Sequence, residues 1–406
     1  MEAPLTEADE NASVVPIAWG STDYVASADA ATALAATRRA GAPAVFDDLK
    51  AAAILVADGL FALQFRTWDF GDSVAFEALV EASEYFGDER WARFVQGWAR
   101  SWATRALPFA RLDCTAPGRA MVQVAEQFND PELMSACTHL ADFLMSRRLL
   151  FGAYETWQSA PLLFPYGGAG LDADGLELLE SSPACICVDC LHFDAPFLVT
   201  LGRVTGEEKY LTAGLEQALA YIQALQMPDG LFDHFRLGGQ ESSFGPGWGR
   251  GQGWAILGLV DVLEELSLLQ KLDSSAAAEL AEATCKLIRR MCALQRPDGH
   301  WNAVVTDPHS GNEYSTAGFM ASGFARAARL GIVDSDEVKE ALRRACSAIT
   351  QSLDSKGQLR EVSAAVYAST EPTHYAHVPR GYVVPWGQGP ALLALLECLR
   401  TREKSS

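Results

Sequence analysis

Two kinds of helical pattern alternate along the chain. Residues 208–226 place apolar side chains at intervals of three and four positions, which is the spacing of one helix face, and keep polar residues on the opposite face. Residues 254–266 are apolar nearly all round, as expected of a helix that other helices enclose. The strict alternation typical of β-strands is scarce. These patterns predict an all-α protein in which amphipathic helices surround buried ones.

A short segment recurs where amphipathic helices end. The segment ALQMPDG at residues 224–230 returns as ALQRPDG at residues 293–299, and residues 354–359 (DSKGQL) form a looser third copy. Each of the first two copies turns at Pro-Asp-Gly and then reaches an aromatic residue, Phe232 or Trp301. Repetition of this kind is typical of an architecture built from stacked helical pairs.

Three segments have the composition of helix starts with acidic first turns, at residues 87–91, 129–133 and 206–210. Together with the repeat they predict a toroid of helical hairpins, an inner ring wrapped by an outer ring, with long loops on one rim. No Pro- or Ser-rich linker divides the chain, so we expect one domain over residues 43–406, preceded by an N-terminal segment, residues 1–42. Within that segment, the alanine-rich residues 28–36 could form the first barrel helix.

Charge and composition exclude several classes of partner. The chain has 406 residues, 49% of them hydrophobic, and a formal net charge of -20, which argues against nucleic acid and against an anionic membrane surface. An acidic ligand would need a local positive group, and Arg250 is the obvious candidate. The acidic first ten residues contain no apolar stretch, so we expect a cytoplasmic protein whose nine cysteines are reduced thiols.

A cysteine-rich segment, residues 185–190 (CICVDC), surrounds one carboxyl group. Three thiols and a carboxylate could hold a tetrahedral ion, but no second Cys or His pair stands at zinc-site spacing, so small buried packing residues are the better interpretation. Asp189 is the exception, because an aspartate among Cys, Ile and Val has little water around it. Burial would raise its pKa, as a proton donor requires.

The segment of residues 248–254 (WGRGQGW) combines two indoles, a guanidinium and three glycines at the entrance to a helix. One interpretation is a backbone kept slim so that a flat, oxygen-rich ligand such as a sugar can approach. The alternative is a Gly-rich loop with two core tryptophans. The segment alone does not separate the two.

Several motifs together resemble the unsaturated uronyl hydrolases of glycoside hydrolase families 88 and 105, from about Trp68 to Glu397. The most specific is residues 248–254 leading into residues 260–264 (VDVLE). The others are residues 113–119 (DCTAPGR), 188–189 (VD), 196–198 (PFL), 201–206 (LGRVTG), 230–234 (GLFDH), 313–320 (EYSTAGFM) and 385–389 (PWGQG).

The resemblance implies an (α/α)6 barrel that removes a 4,5-unsaturated uronic acid from the nonreducing end of lyase-made oligosaccharides, without metal or organic cofactor. The family's proton donor corresponds to Asp189, and its second aspartate to Asp113. The residues expected to bind substrate are His234, Trp248, Arg250, Gln252 and Trp254. Alternatives are another carbohydrate or small enol-ether reaction in the same barrel, such as epimerisation, lyase cleavage or rearrangement, or a silent sugar-binding barrel.

The chain also departs from the family pattern. Family 105 members usually carry a His and an aromatic or basic cluster shortly before the catalytic Asp, whereas residues 180–187 contain none and His192 follows instead. Gln252 stands where Asn is commoner. Residues 164–171 (FPYGGAGL) form an insertion that could reshape the rim, and His374, His377 and Arg380 lie in a polar loop that could close over the cleft. Neither the leaving group nor the oligomeric state follows from the sequence.

Overall fold

The computed structural model describes residues 39–63, 65, 70–103 and 117–405. Within these ranges the chain forms fourteen helices and five short strands. The helices are α1 (Leu49–Phe61), α2 (Gly71–Phe86), α3 (Arg90–Ala103), α4 (Gly118–Gln127), α5 (Pro131–Met145), α6 (Ala173–Glu180), α7 (Asp189–Thr205), α8 (Glu208–Leu225), α9 (Gly249–Leu268), α10 (Ser275–Leu294), α11 (Ser315–Arg329), α12 (Asp336–Gln351), α13 (His374–His377) and α14 (Pro385–Ser405). The strands are β1 (Leu149–Leu150), β2 (Ala153–Tyr154), β3 (Cys185–Cys187), β4 (Phe235–Leu237) and β5 (Ser243–Phe244).

Six of these helices form a closed inner ring. Helices α2, α4, α7, α9, α11 and α14 pack in that order, and α14 packs against α2. The other long helices, α1, α3, α5, α8, α10 and α12, alternate with them along the chain and form the outer layer. This arrangement confirms the predicted all-α (α/α)6 barrel. In the described part of the chain, no helix is both long and apolar enough to cross a membrane.

Burial separates the two layers as the hydrophobic pattern predicts. Helix α9 is buried on all sides from Gly249 to Leu263, whereas α8 buries one face and leaves Glu208 and Glu216 exposed. The three acidic segments precede α3, α5 and α8, all of which belong to the outer layer.

The recurring turn attaches the outer helix α8 to α10, and α10 to α12. Gln226, after α8, donates from its side-chain amide to the carbonyl oxygens of Gly230 and Ala283, and Ala283 lies in α10. Gln295, after α10, makes the equivalent bonds to Gly299 and to Ala341 of α12. The repeat therefore sets the spacing of neighbouring outer helices.

All inner helices run in the same direction, because an outer helix returns the chain between each pair. Their N-terminal ends therefore meet at one end of the barrel, and the longer connections gather there, as predicted. We call this end the long-loop rim; its described connections are residues 146–188, 226–248, 295–314 and 352–384. A three-stranded antiparallel sheet, in the order β3-β4-β5, is built from two of these loops.

Ion pairs, several of them buried, link the inner helices to one another. Arg119 of α4 lies 3.1 Å from Glu77 of α2 and 3.0 Å from Asp261 of α9. Further pairs join Arg326 of α11 to Asp261, Arg203 of α7 to Glu265 of α9 and Glu126 of α4, Arg329 of α11 to Glu397 of α14, and Arg400 of α14 to Glu81 of α2. All six inner helices belong to this network.

The structure corrects the expectation that every cysteine is a reduced thiol. Cys346 of α12 and Cys398 of α14 form a disulfide across 52 residues of sequence, which ties the last outer helix to the last inner one. The other described cysteines form no disulfide. The proposed helix at residues 28–36, like most of the N-terminal segment, lies outside the described residues, and the division at residue 42 stays a prediction.

Substitution of Gly230 by alanine is expected to lower the free energy of unfolding by about 2 kcal/mol or more. Gly230 has a φ of 96°, and an added Cβ would lie 2.7 Å from the Lys286 carbonyl oxygen. Urea unfolding measures the loss. The control is Gly97→Ala in helix α3, where a Cβ meets nothing within 4 Å and a gain of about 0.5–1 kcal/mol is expected. An unchanged free energy of unfolding in Gly230→Ala would contradict the role of the turn in attaching α8 to α10.

Candidate active site

A pairing of short strands places Asp189 beside His234. Cys187 of β3 pairs with Phe235 of β4, and the Val188 amide donates to the His234 carbonyl oxygen over 2.8 Å. Helix α7 begins at the next residue, Asp189, so this carboxyl group stands in the first turn of an inner helix on the long-loop rim. Because the Asp189 side chain is only partly buried, the rise of its pKa expected from the sequence stays a prediction.

Asp189, His234 and a tyrosine form a line of polar groups. His234 Nε2 lies 3.6 Å from Asp189 Oδ2, and His234 Nδ1 lies 2.8 Å from the hydroxyl of Tyr375. The Asp189 side chain keeps 17% of its surface exposed, whereas that of His234 keeps 4%. Trp248 packs over the imidazole with ring centres 4.3 Å apart. The carboxyl group is thus the part of this line that reaches solvent.

Arg250 lies behind this line and is fully buried. Its terminal nitrogens bond to Glu313 Oε1 at 3.3 Å, Ser363 Oγ at 2.6 Å and the Ala364 carbonyl oxygen at 3.0 Å. Glu313 in turn accepts from the Ser363 amide, which joins the start of α11 to the segment before α14. Arg250 places a positive charge near Asp189; its terminal nitrogens are held by protein atoms, whereas its buried Nε has no hydrogen-bond partner among the described residues.

The structure places Gln252 and Trp254 inside the protein, away from the polar line. The Gln252 amide bonds both backbone groups of Phe232 and the carbonyl oxygen of Trp248. Trp254 is fully buried, stacked on His192 with ring centres 5.4 Å apart. Asp189, His234, Trp248 and Arg250 therefore come together, and Gln252 and Trp254 support them.

Two of the three glycines of this segment serve helix packing, which favours the alternative without a ligand at these two positions. A Cβ at Gly253 would lie 2.5 Å from the Phe319 ring, and one at Gly249 would lie 2.7 Å from Thr316 Oγ1. Both neighbours belong to α11. Close approach of α9 and α11 therefore accounts for these two glycines.

Three further predictions concern Asp113, the cysteines and metal ions. Asp113 lies outside the described residues, so its distance to Asp189 stays a prediction. The sulfurs of Cys185 and Cys187 lie 3.9 Å apart within buried surroundings, which fits the packing role. Glu77, His192 and Asp261 are close enough to hold an ion, but Glu77 faces His192 Nε2 and Asp261 faces Nδ1. Because one imidazole binds a metal ion through one nitrogen, this geometry fits a hydrogen-bonded bridge better.

The surroundings keep the imidazole of the site neutral. Burial, with repulsion from His374 and Arg250, lowers the pKa of His234 to about 3. Burial also raises the pKa of the Tyr375 hydroxyl well above its ordinary value. At neutral pH the site therefore holds an uncharged imidazole and an uncharged phenol.

Sequence reasoning missed three residues of this site. It gave no role to Tyr375, Glu313 or Ser363, although residues 313–320 form one of the motifs that resemble the family. Tyr375 lies 141 residues from its partner His234, and no spacing rule connects them. Glu313 precedes α11 and bonds the Ser315 hydroxyl and the Thr316 amide, a capping pattern that could have indicated a buried acidic residue there.

Comparison with known proteins agrees with the barrel and identifies the family of the chain. The family model described as Glycosyl Hydrolase Family 88 matches residues 58–402, and the chain belongs to this family of glycoside hydrolases. The unsaturated rhamnogalacturonyl hydrolase YesR of Bacillus subtilis (strain 168) is 24% identical over 367 residues, which cover 89% of this chain and 98% of that protein. The unsaturated 3S-rhamnoglycuronyl hydrolase of Alteromonas sp. (strain LOR) is 29% identical over 203 residues, 48% of this chain and 47% of that protein.

Solved structures share the fold. A possible member of the GH105 family from Salmonella enterica serovar Paratyphi A superposes with a TM-score of 0.75 at 20% identity, covering 88% of this chain and 94% of that one. The unsaturated glucuronyl hydrolase of Bacillus sp. GL1 gives 0.61 at 20% identity, covering 86% and 95%. The protein is accordingly a hydrolase of the (α/α)6 type that acts on a saccharide.

Stability is expected to fall as the pH drops from about 6.5 towards 4, with the buried histidines contributing. Burial lowers the pKa of His300 and His374 to about 4 and that of His234 to about 3. In this window the unfolded chain binds protons that the folded protein does not, so stability rises with pH, by roughly 1.4 kcal/mol per pH unit for each imidazole at most.

Urea unfolding of the parent and of His300→Gln at pH 7 and pH 5 measures this contribution. The loss between the two pH values is expected to be smaller in the variant, and the same change at the exposed His309 serves as the control. Equal losses in the parent and His300→Gln would contradict the prediction.

The buried pair Arg250–Glu313 gives a second prediction on stability. Arg250→Met leaves the buried Glu313 carboxylate without its ion-pair partner, so we expect a loss of about 3–5 kcal/mol. The double variant Arg250→Met/Glu313→Gln removes the uncompensated charge and is expected to recover part of that loss. Chemical denaturation of the three proteins tests this, and a double variant no more stable than Arg250→Met would speak against it.

Proposed function

We propose that this hydrolase removes a 4,5-unsaturated uronic acid from the nonreducing end of oligosaccharides that polysaccharide lyases produce, with Asp189 as the proton donor. The observation that carries the proposal is the location of Asp189. It is a partly exposed carboxyl group in the first turn of an inner helix, at the rim where the loops gather, with a neutral imidazole behind it. The family and the names of its relatives support this substrate class.

The reaction uses one carboxyl group as acid and then as base. Protonated Asp189 gives its proton to C4, which forms the C4–H bond and leaves positive charge shared between C5 and the ring oxygen. Water adds to C5 and returns a proton to the Asp189 carboxylate. The resulting hemiketal opens to a ketone at C5, and the hemiacetal at C1 releases the remaining saccharide as an alcohol. Cleavage thus proceeds without displacement at the anomeric carbon.

Electrostatics favour an acidic sugar at this rim despite the net charge of -20. The inner helices point their N-terminal ends towards it, and each end carries a partial positive charge. Arg250 adds a full charge that interacts with Asp189 through the buried interior. Since the side chain is fully buried and its terminal nitrogens are already bonded, we propose that Arg250 attracts the uronate through its charge, and a direct contact stays a prediction.

The other candidate residues have supporting roles around Asp189. His234 stabilises the carboxylate that is left after proton transfer. A contact between Trp248 and the sugar ring stays a prediction, because this indole is buried against His234. Asp113 would position a hydroxyl group or the water. Substrate contacts of Gln252 and Trp254 also stay predictions, because both side chains are buried behind Trp248 and His192.

The proposal predicts that the protein removes the near-ultraviolet absorbance of unsaturated disaccharides, and that Asp189→Asn loses activity by about a hundredfold or more. The panel comprises lyase-made fragments of pectin, rhamnogalacturonan, glycosaminoglycan and ulvan. Asp273→Asn is the control, because Asp273 is exposed in the short connection before α10. If the absorbance of every fragment persists, or if Asp189→Asn retains activity, the proposal is wrong.

A further inference from the structure

The insertion at residues 164–171 is fixed to the short helix α13. The backbone N–H of Tyr166 donates to His374 Nδ1 over 3.2 Å, and the two rings pack with centres 4.9 Å apart. Because Nδ1 accepts this bond, the His374 proton lies on Nε2, which is 3.0 Å from the Tyr367 carbonyl oxygen. His374 therefore joins the insertion to the segment before α14 and holds α13 in place.

The next residue of α13, Tyr375, reaches the site. Its ring is buried, and its hydroxyl lies 2.8 Å from His234 Nδ1. Gly245, with a φ of 72°, makes room for this contact: a Cβ there would lie 2.5 Å from the hydroxyl and 2.6 Å from the His234 Cβ. The contact is thus built from two separate loops, residues 226–248 and 352–384.

The direction of this hydrogen bond follows from the other side of the imidazole. His234 Nε2 faces Asp189 Oδ2, and a carboxylate oxygen accepts hydrogen bonds, so the single proton of the neutral imidazole belongs on Nε2. Nδ1 of this imidazole is then the acceptor, and the hydroxyl of the buried Tyr375 donates to it.

We propose that Tyr375 is a positioning residue: its hydroxyl donates to His234 Nδ1 and holds the imidazole as the Nε2–H tautomer, with that N–H turned towards Asp189. The Nε2–Oδ2 distance of 3.6 Å is slightly beyond hydrogen-bond length, so a small movement closes it once Asp189 has lost its proton. The effect on catalysis rests on the function proposed above, whereas the assignment of the tautomer does not depend on that function.

Long-range ¹H–¹⁵N NMR of protein labelled with ¹⁵N-histidine tests the tautomer directly. The His234 signals are assigned by their loss in His234→Gln. We expect a bare Nδ1 and a protonated Nε2 in the wild-type protein at neutral pH, and a change of the Nδ1 shift in Tyr375→Phe. A proton on Nδ1 in the wild-type protein would overturn the proposal, whatever the enzyme does to any sugar.

Kinetics test the positioning role. Tyr375→Phe is expected to lower kcat about tenfold, with KM changed by less than about twofold, as for the loss of one hydrogen bond that acts in the transition state. Tyr210→Phe is the matched control, since it removes a buried hydroxyl that bonds to Asp142 on outer helices. An unchanged kcat in Tyr375→Phe would overturn the positioning role. If the wild-type protein cleaves no unsaturated sugar, the proposed function fails while the NMR result still decides the tautomer.

Discussion

The parallel arrangement of the six inner helices is the constraint on which the rest of the structure depends. An outer helix returns the chain after each inner one, so the inner N-terminal ends meet at one rim. Ion pairs link all six helices of this ring. Arg119 and Arg326, against the effect of burial, lower the pKa of Asp261, so this carboxylate stays charged between them. Burial raises the pKa of Glu77 at the edge of the same cluster, despite His192 and Arg119.

The candidate site depends on this parallel arrangement of the inner helices. Helix ends give the rim a positive field, and the packed core below it excludes water, so an imidazole beside Asp189 stays neutral. Arg250 adds charge from behind, held by Glu313 and Ser363. The groups nearest the carboxyl are therefore set by packing before any ligand arrives, which is what a proton-transfer site requires.

Much of the fold was predictable from local patterns, because helix periodicity and the Gln-x-Pro-Asp-Gly turn act over short distances. The neighbourhood of Asp189 and His234 was expected only from the family resemblance, since it depends on two short strands without a recognisable pattern. Tyr375 was out of reach, because two separate loops bring it to His234. The role of Gly249 and Gly253 stayed open in the sequence, because a slim backbone suits a ligand and a closely packed helix equally well. Cys346 and Cys398 could not be paired from sequence, since nine cysteines allow many pairings.

The central claim is that a solvent-derived proton reaches C4 through Asp189 and that water attacks C5. Cleavage of an unsaturated disaccharide in D₂O enriched in ¹⁸O, sampled early by NMR and mass spectrometry, tests it most directly. If the proposed mechanism operates, the released sugar acid carries one deuterium at C4, added on one face, and the new oxygen at C5. Label at C1 with no deuterium at C4 would indicate ordinary glycosidic displacement and contradict the account.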